Sequence, residues 1–354
     1  MAAKYLTIAK ELKKELRLMQ QEGVRKLPSE AALAEKYSCS RQTVRAALAY
    51  LAENGLIVKL HGSGSYISDN VIGRSRRIAV IVPDRSEYIY PAIIRDLQSI
   101  FADKGYTVCC FNTDNRFLNE REILNELLAD PPAGIIIEAI NNVLPCMNLE
   151  LLRKIEDAGI PMVYLHNAYS EAANAVCIGQ DNDSGGYEAV KYLASKGHKS
   201  IAGIMKSDVV SGLERYKGCV QACLDFGLDF QESHFFWYSA ESRKRLLESG
   251  EDGMLDFAGD FLQPCTAVVC YNDEIAFRLI RVLQASHIEI PANKAIISFD
   301  NSYYCTAGDV GITSLGHAAH STGSAAAHAM LMLLNGRKCR PVTLEWTLNE
   351  RESV

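Results

Sequence analysis

The chain contains no apolar run approaching the ~18 residues of a membrane-spanning helix, although 48% of its 354 residues are hydrophobic. It has no Cys-x-x-Cys pair, and none of its 11 cysteines has a histidine partner at zinc-ligand spacing. This odd, scattered set of thiols, with Cys109 and Cys110 adjacent in a β-prone apolar run, reads as small buried hydrophobes in a reducing cytoplasm. Neither a GxxxxGK[ST] phosphate loop nor a GxSxG nucleophile elbow occurs, which argues against nucleotide hydrolysis and acyl transfer. The opening MAAKYLTIAKELKKELRLM spreads charge throughout and lacks the apolar core of a secretory leader. A cytoplasmic protein that is not an enzyme, with no metal or cofactor, is expected.

What is present is unevenly distributed. Met1 to Arg77 holds 14 lysines and arginines against 7 acids, a net of +7, so the remainder of a chain of net −6 carries −13. A basic head on an acidic body places any polyanion at the head. Within the head, Tyr5, Ile8, Leu12, Leu16 and Met19 recur at helical spacing. After Gly23, LPSEAALAEKY starts a second helix with Ser29 as N-cap, Glu30 near the positive end of the dipole, and an end near Tyr37. SCSRQTVRAALAYLAENGL starts a third, capped by Ser40, stopped by Gly55, and burying Val44, Ala47, Leu48 and Leu51. Two short helices so joined form a helix-turn-helix, whose second member enters a major groove. Its first turns present Arg41, Gln42, Thr43 and Arg45, and arginine and glutamine make bidentate pairs with guanine and adenine.

The stretch VKLHGSGSYIS decides between a phosphate cradle and a hairpin. A cradle leads into a helix; here β-prone residues lie on both sides of the glycines, so it is strand, turn, strand. Gly62 and Gly64 allow positive φ and close approach, and His61, Ser63 and Ser65 can meet phosphates or a minor groove. Residues 4–68, through LPSEAALAEKYSCSRQTVRAALAYLAENGLI and the wing LHGSGSYI, resemble the winged helix of the gluconate-repressor (GntR) family. The resemblance implies that Arg41, Arg45 and the wing glycine hold operator DNA. Lys4 and Tyr5 are then expected on the DNA backbone, with Glu30 and Gln42 adding to the contact.

Residues 1–70 thus form the winged-helix domain and 71–77 a linker ending in basic residues. From 78 to 354, buried-type β runs alternate with helical ones: RIAVIVPD, YTVCCFNTD, AGIIIEAI, PMVYLHN, AVCIGQD, SIAGIMK, HFFWYS, TAVVCYND, KAIISFDN and GITSLGH. This pattern specifies an α/β fold with parallel sheets. Ten strands suggest two doubly wound subdomains, expected at about 78–178 with 305–335 and about 179–304 with 336–354. Ligands of such sheets sit beyond the carboxyl ends of the strands. There the sequence places Asp84 with Tyr88 and Tyr90 beyond it, Glu138, His166 and Asn167, Tyr238, Asn272 and Asp300. Carboxylates and amides pair with adjacent hydroxyls and aromatic faces pack on C–H faces, which is what a sugar requires. Each polar residue alone is equally a helix cap, and Asp181, Asn182 and Asp273 are expected to be caps.

The order of RRIAVIVPD, AGIPMVYLHN, DNDSGGYEAVKYLASKGHKSIAGI, ERYKGCVQACLDFGL, TAVVCYNDEIAF, AIISFDNSYYC, ITSLGH and NERES resembles the effector domain of the lactose/galactose-repressor (LacI/GalR) family, a periplasmic-binding-protein-like fold of type I. The resemblance implies that Arg215 of the RxxG motif, Asn272 of ND and Asp300 of SFDN hold sugar hydroxyls, with Tyr238 stacked on the ring. His166 stands where that family often has aspartate, and Asn167 is the alternative. The pairing of this head with this body is similar to the arabinose-repressor family of Gram-positive bacteria. It implies a homodimer on palindromic operator DNA, joined through helices such as Pro91–Gly105. A monosaccharide, L-arabinose first, would release it. A repressor or activator of another carbohydrate or nucleoside operon is the alternative.

Overall fold

The structure is a computed structural model, and it describes residues 4–21, 24–53, 56–60, 63–67, 76–172, 175–243, 262 and 264–354. Gly23, Gly55, His61, Gly62 and linker residues 71–75 lie outside the described residues. In the head, α1 (Lys4–Gln21), α2 (Glu30–Lys36) and α3 (Arg41–Glu53) precede a hairpin of β1 (Ile57–Leu60) and β2 (Gly64–Ile67). The caps are those the sequence specifies: Ser29 Oγ accepts from Ala32 N at 3.2 Å, and Ser40 Oγ from Thr43 N at 3.1 Å. These hydroxyls satisfy backbone donors that the first helical turn leaves unpaired. Leu12 and Leu16 of α1, Leu33 of α2 and Val44, Leu48 and Leu51 of α3 close one apolar core with Ile57 and Ile67 of the hairpin. The hairpin pairs Ile57 with Ile67 and Leu60 with Gly64, antiparallel, and Gly64 has φ +110°, a conformation that favours glycine.

The body contains two six-stranded sheets. In chain order its strands are β3 (Arg77–Val82), β4 (Thr107–Asn112), β5 (Gly134–Glu138), β6 (Met162–His166), β7 (Val176–Gln180), β8 (Ile201–Lys206), β9 (Phe235–Tyr238), β10 (Ala267–Cys270), β11 (Ala295–Phe299), β12 (Thr313–Gly316), β13 (Val342–Leu344) and β14 (Thr347–Asn349). The first sheet runs β13-β7-β6-β5-β3-β4 and the second β14-β12-β11-β10-β8-β9. Among the described residues, all pairings of the body are parallel except the edge pair β12–β14. Runs such as IAVIV and GIII are apolar throughout because helices cover both faces. Among the described residues the helices are α4 (Tyr90–Ala102), α5 (Phe117–Ala129), α6 (Leu149–Asp157) and α10 (Ser321–Leu334) on the first sheet. On the second are α7 (Asn182–Ser195), α8 (Val210–Asp225) and α9 (Asp273–Ala285).

The subdomain boundaries need two corrections. Strand Thr313–Gly316, expected in the first lobe, pairs with β11 in the second; the first lobe regains the chain only at α10. Strand Val342–Leu344, expected in the second, pairs with β7 in the first. Arg77, read as the last linker residue, opens β3 and bonds Asp130 at 2.6 Å. The chain therefore crosses between lobes at 180–182, 316–321 and 344–347. Trp346 ties these crossings together: its indole N–H donates to the Asp181 carbonyl at 2.7 Å and its ring lies 4.1 Å from that of His317.

Candidate functional site

The lobes enclose a cavity of about 710 Å³ at the carboxyl ends of their strands, within the ~300–1,000 Å³ range of small-molecule sites. Tyr88, Tyr90, Glu138, His166, Asn167, Arg215, Tyr238, Asn272 and Asp300 all line it. All nine residues singled out from the sequence thus come together around one space.

Arg215 is the most constrained of them. Its helix α8 packs tightly on α7: a Cβ on Gly186 would stand 2.0 Å from the Arg215 carbonyl oxygen, and one on Gly218 would stand 1.9 Å from that of Asp183. That close approach sets the guanidinium at the cavity with a side chain only 4% exposed. Its Nε donates to Asn182 Oδ1 at 3.0 Å, Nη1 donates to the Tyr271 carbonyl, and Nη2 lies 3.8 Å from Asp300. The faces of Phe299, Tyr271 and Trp346 lie 4.2, 4.7 and 5.0 Å from it. A planar cation so enclosed keeps its fork geometry without a ligand.

Asp300 accepts from the Tyr88 hydroxyl of the opposite lobe. It has φ +100°, and His166 has φ +57°, sparsely populated conformations for non-glycine residues that each cost about 1–3 kcal/mol and cluster at ligand sites. Arg351 of the NERES motif braces the loop behind Asp300 by donating to Asn301 Oδ1 at 2.6 Å. His166 Nδ1 and Glu138 Oε2 are 2.9 Å apart. Burial alone would lower the His166 pKa, but the Glu138 charge and hydrogen bond, aided by Asp300, raise it above the ordinary value.

Two expected caps prove otherwise. Asn272 caps α9, its Oδ1 accepting from Ile275 N at 3.0 Å. Asp273 is wholly buried and accepts from Ser298 Oγ, Ser314 Oγ at 2.7 Å and Ser302 N at 2.6 Å. Burial and then the Asp300 charge push its carboxyl up from the ordinary range. Asp181 caps α7 as expected, whereas Asn182 lies inside the first turn and receives the Arg215 bond.

Several cleft residues escaped the sequence reading. Arg243 of the second lobe bonds Glu87 of the first at 3.1 Å and also Glu274. Lys206 lies 3.9 Å from Asp208. Asn142 Oδ1 of the first lobe accepts from Val210 N of the second at 2.7 Å. Tyr88–Asp300, Arg243–Glu87 and Asn142–Val210 bridge the lobes in a closed arrangement, whereas Lys206–Asp208 and Arg243–Glu274 lie within the second lobe. Only Lys206 had a local signal, its place at the end of an apolar run.

On the head, Arg41, Gln42 and Arg45 are exposed along α3, and Ser63 and Gly64 are exposed at the tip of the hairpin. Arg45 Nε bonds Glu30 at 2.9 Å, with the arginine side chain 69% exposed. Glu30, expected to add to the DNA contact, is thus the partner of Arg45 on the same face. Thr43 Oγ1 is 2.8 Å from the Ser40 cap, Lys4 Nζ donates to the Ser38 carbonyl at 3.3 Å, and the rings of Tyr5 and Tyr50 are 6.3 Å apart.

Residues 4–67 match the model of the bacterial regulatory proteins of the gntR family, and residues 190–354 that of the periplasmic binding protein-like domain. Head and cleft together define a transcriptional regulator with a ligand-binding body. An arabinose metabolism transcriptional repressor of Halalkalibacterium halodurans is 33% identical over 86% of this chain and 82% of its own length. Its counterpart from Geobacillus stearothermophilus is 28% identical over 94% of this chain and 92% of its own. The chain belongs to the family of the arabinose metabolism transcriptional repressors. The body also shares its fold with a periplasmic binding protein/LacI transcriptional regulator from Alkaliphilus metalliredigens QYMF, crystallised with D-xylulofuranose. That likeness has a TM-score of 0.65 at 22% identity, over 79% of this chain and 99% of that one. Among the described residues no helix is long and apolar enough to cross a membrane, and no group of side chains is arranged to hold a metal.

Proposed function

We propose that the protein is a repressor that binds palindromic operator DNA as a homodimer and is released by a monosaccharide, with L-arabinose the first candidate. The observation that carries the sugar half is the enclosed Arg215 guanidinium beside Asp300 in a mixed cleft of carboxylates, amides and tyrosine rings. The inner cations Lys206, Arg215 and Arg243 are each already matched by carboxylates, so the cleft suits a neutral polyol better than an anion. Hydroxyls of such a ligand bond to Arg215, Asp300, Asn272, Glu138 and His166 or Asn167, while Tyr238, Tyr88 and Tyr90 supply ring faces.

The DNA half rests on the exposed row Arg41, Gln42, Arg45 and the adjoining hairpin tip. In this reading α3 enters a major groove, and the wing with Lys4, Tyr5, Thr43, His61, Gly62, Ser63 and Gly64 holds the backbone. Pairing through α4 and its neighbours would set two heads about one helical turn apart. Sugar then acts only through its greater affinity for the lobe arrangement that spoils this spacing, and about 10²–10⁴-fold preference suffices to empty the operator.

Fluorescence anisotropy of a labelled fragment of the gene's own upstream DNA, titrated with aldoses, tests both halves. Release by one pentose at micromolar to millimolar concentration is expected. Tight DNA binding that no sugar alters would overturn the effector assignment.

A further inference from the structure

Beyond the inner pocket the same cavity continues to a mouth with its own chemistry. A pentose has about ten heavy atoms, which at the ~30 Å³ of a liquid water molecule apiece occupy about 300 Å³. The cavity measures about 710 Å³, so more than half is left over. At the mouth lies Tyr303, which follows the Asp300-Asn301-Ser302 loop directly and whose side chain is among the most exposed large ones of the molecule, at 61%.

Tyr303 is nonetheless held in place. Its ring stacks on Tyr304 with centroids 4.4 Å apart and planes 27° apart, and Tyr304 packs edge-on to Tyr88 at 5.4 Å and against Phe277 at 5.3 Å. An exposed tyrosine fixed on its inner face by an aromatic stack is a platform, since it loses little freedom when something covers its outer face. The cavity wall also carries exposed polar groups among apolar ones such as Pro91 and Ala318. Arg95 and the Asp96–His320 pair, whose oxygen and nitrogen are 2.6 Å apart, line the cavity with Thr322. An aromatic face in a cavity that also carries donors and acceptors suits a sugar ring, as the inner pocket does.

We propose that this mouth is an outer subsite for a second sugar residue, so that the effectors of this protein include short oligosaccharides, one residue in the inner pocket and the next on Tyr303. The inference rests on the sugar reading of the inner pocket and extends it from a single ring to a linked pair. Because both rings share one cavity, the disaccharide adds contacts without a second closure of the lobes, and the ring contact adds about fivefold in affinity.

Isothermal titration calorimetry of the full chain tests this with matched pairs: L-arabinose and arabinobiose, D-xylose and xylobiose, D-glucose and cellobiose. In one series the disaccharide is expected to bind about fivefold more tightly than its monosaccharide. Tyr303→Ala should bring that ratio to one, and Tyr303→Phe, which keeps the ring, should preserve it. If a monosaccharide binds and its disaccharide binds no more tightly, or if Tyr303→Ala leaves the ratio intact, the outer subsite is refuted while the inner pocket stands. If no member of any pair binds, the sugar reading itself fails and the subsite with it.

Discussion

Arg45 and Arg215 are the same residue in opposite surroundings. The Arg45 side chain is 69% exposed and has Glu30 as its partner; Arg215 is 4% exposed and has an amide, a carbonyl, a carboxylate and three ring faces. The first can swing onto phosphate or a base edge at little cost, because water already solvates it. The second is fixed before any ligand arrives, which suits a small neutral molecule that offers only directional hydroxyls. A polyanion supplies its own long-range attraction and tolerates adaptable contacts; a sugar does not.

The largest expected effect comes from removing the buried partner. Arg215→Ala should cost about 3–5 kcal/mol of stability, because it leaves buried polar groups uncompensated. DNA binding should survive, and the response to sugar should disappear. Arg215→Lys should not restore the response, as an ammonium lacks the planar fork. A thermal melt and a DNA-release titration decide this, and a variant that still responds to sugar would dissolve the contrast between the two arginines.

Arg45→Ala should weaken operator binding by about 1–3 kcal/mol while shifting stability by at most ~1 kcal/mol, the range of exposed pairs. Equal loss of DNA and sugar affinity would show that head and body are not separable. Glu30→Ala sharpens the point: it unties Arg45, so operator affinity should hold or rise, whereas a fall would support the direct contact suggested by the sequence. Salt separates the regions next. The log of the operator binding constant should fall with log salt at a slope of about −0.9 per phosphate contact, and sugar affinity measured over the same range should stay nearly flat.

The smallest effect concerns pH. A histidine whose pKa is raised on folding contributes stability that is fully present below its unfolded value of 6.5 and fades as pH rises through the raised value. The melting temperature should therefore fall as pH rises above 6.5, in part through His166. His166→Asn should flatten that slope, and an unchanged slope would discount the Glu138 pair.

Much of this was legible in the sequence. All ten expected strands of the body form, because fully apolar runs between helical segments leave little alternative. Strands β13 and β14 were not foreseen: each has three residues, lies at a sheet edge and is only half buried, so neither shows a buried-strand run. Lobe membership of 305–316 and 342–344 depends on which sheet edge the chain returns to, and local pattern does not encode that. Asn272 and Asp273 are equally good caps by composition; three donors from Ser298, Ser302 and Ser314, distant in sequence, decide that Asp273 turns inward. The Arg243–Glu87 bridge joins two lobes and leaves no local trace. The cleft residues at strand ends were legible because an apolar run visibly stops at a polar residue there, whereas Arg215, inside α8, was signalled only by the resemblance of its RxxG motif.

Trp346 gives the molecule a built-in optical reporter. The chain has only two tryptophans, and this one touches Arg215 on one side and His317 on another while bonding the backbone of a third chain crossing. A ligand that draws on the Arg215 guanidinium, or a rotation of the lobes about their crossings, alters the polarity and the quenching around that indole. With Trp237 replaced by phenylalanine, the ultraviolet emission of the unlabelled protein becomes a single-site record of cleft occupancy, readable in the same cuvette as DNA release.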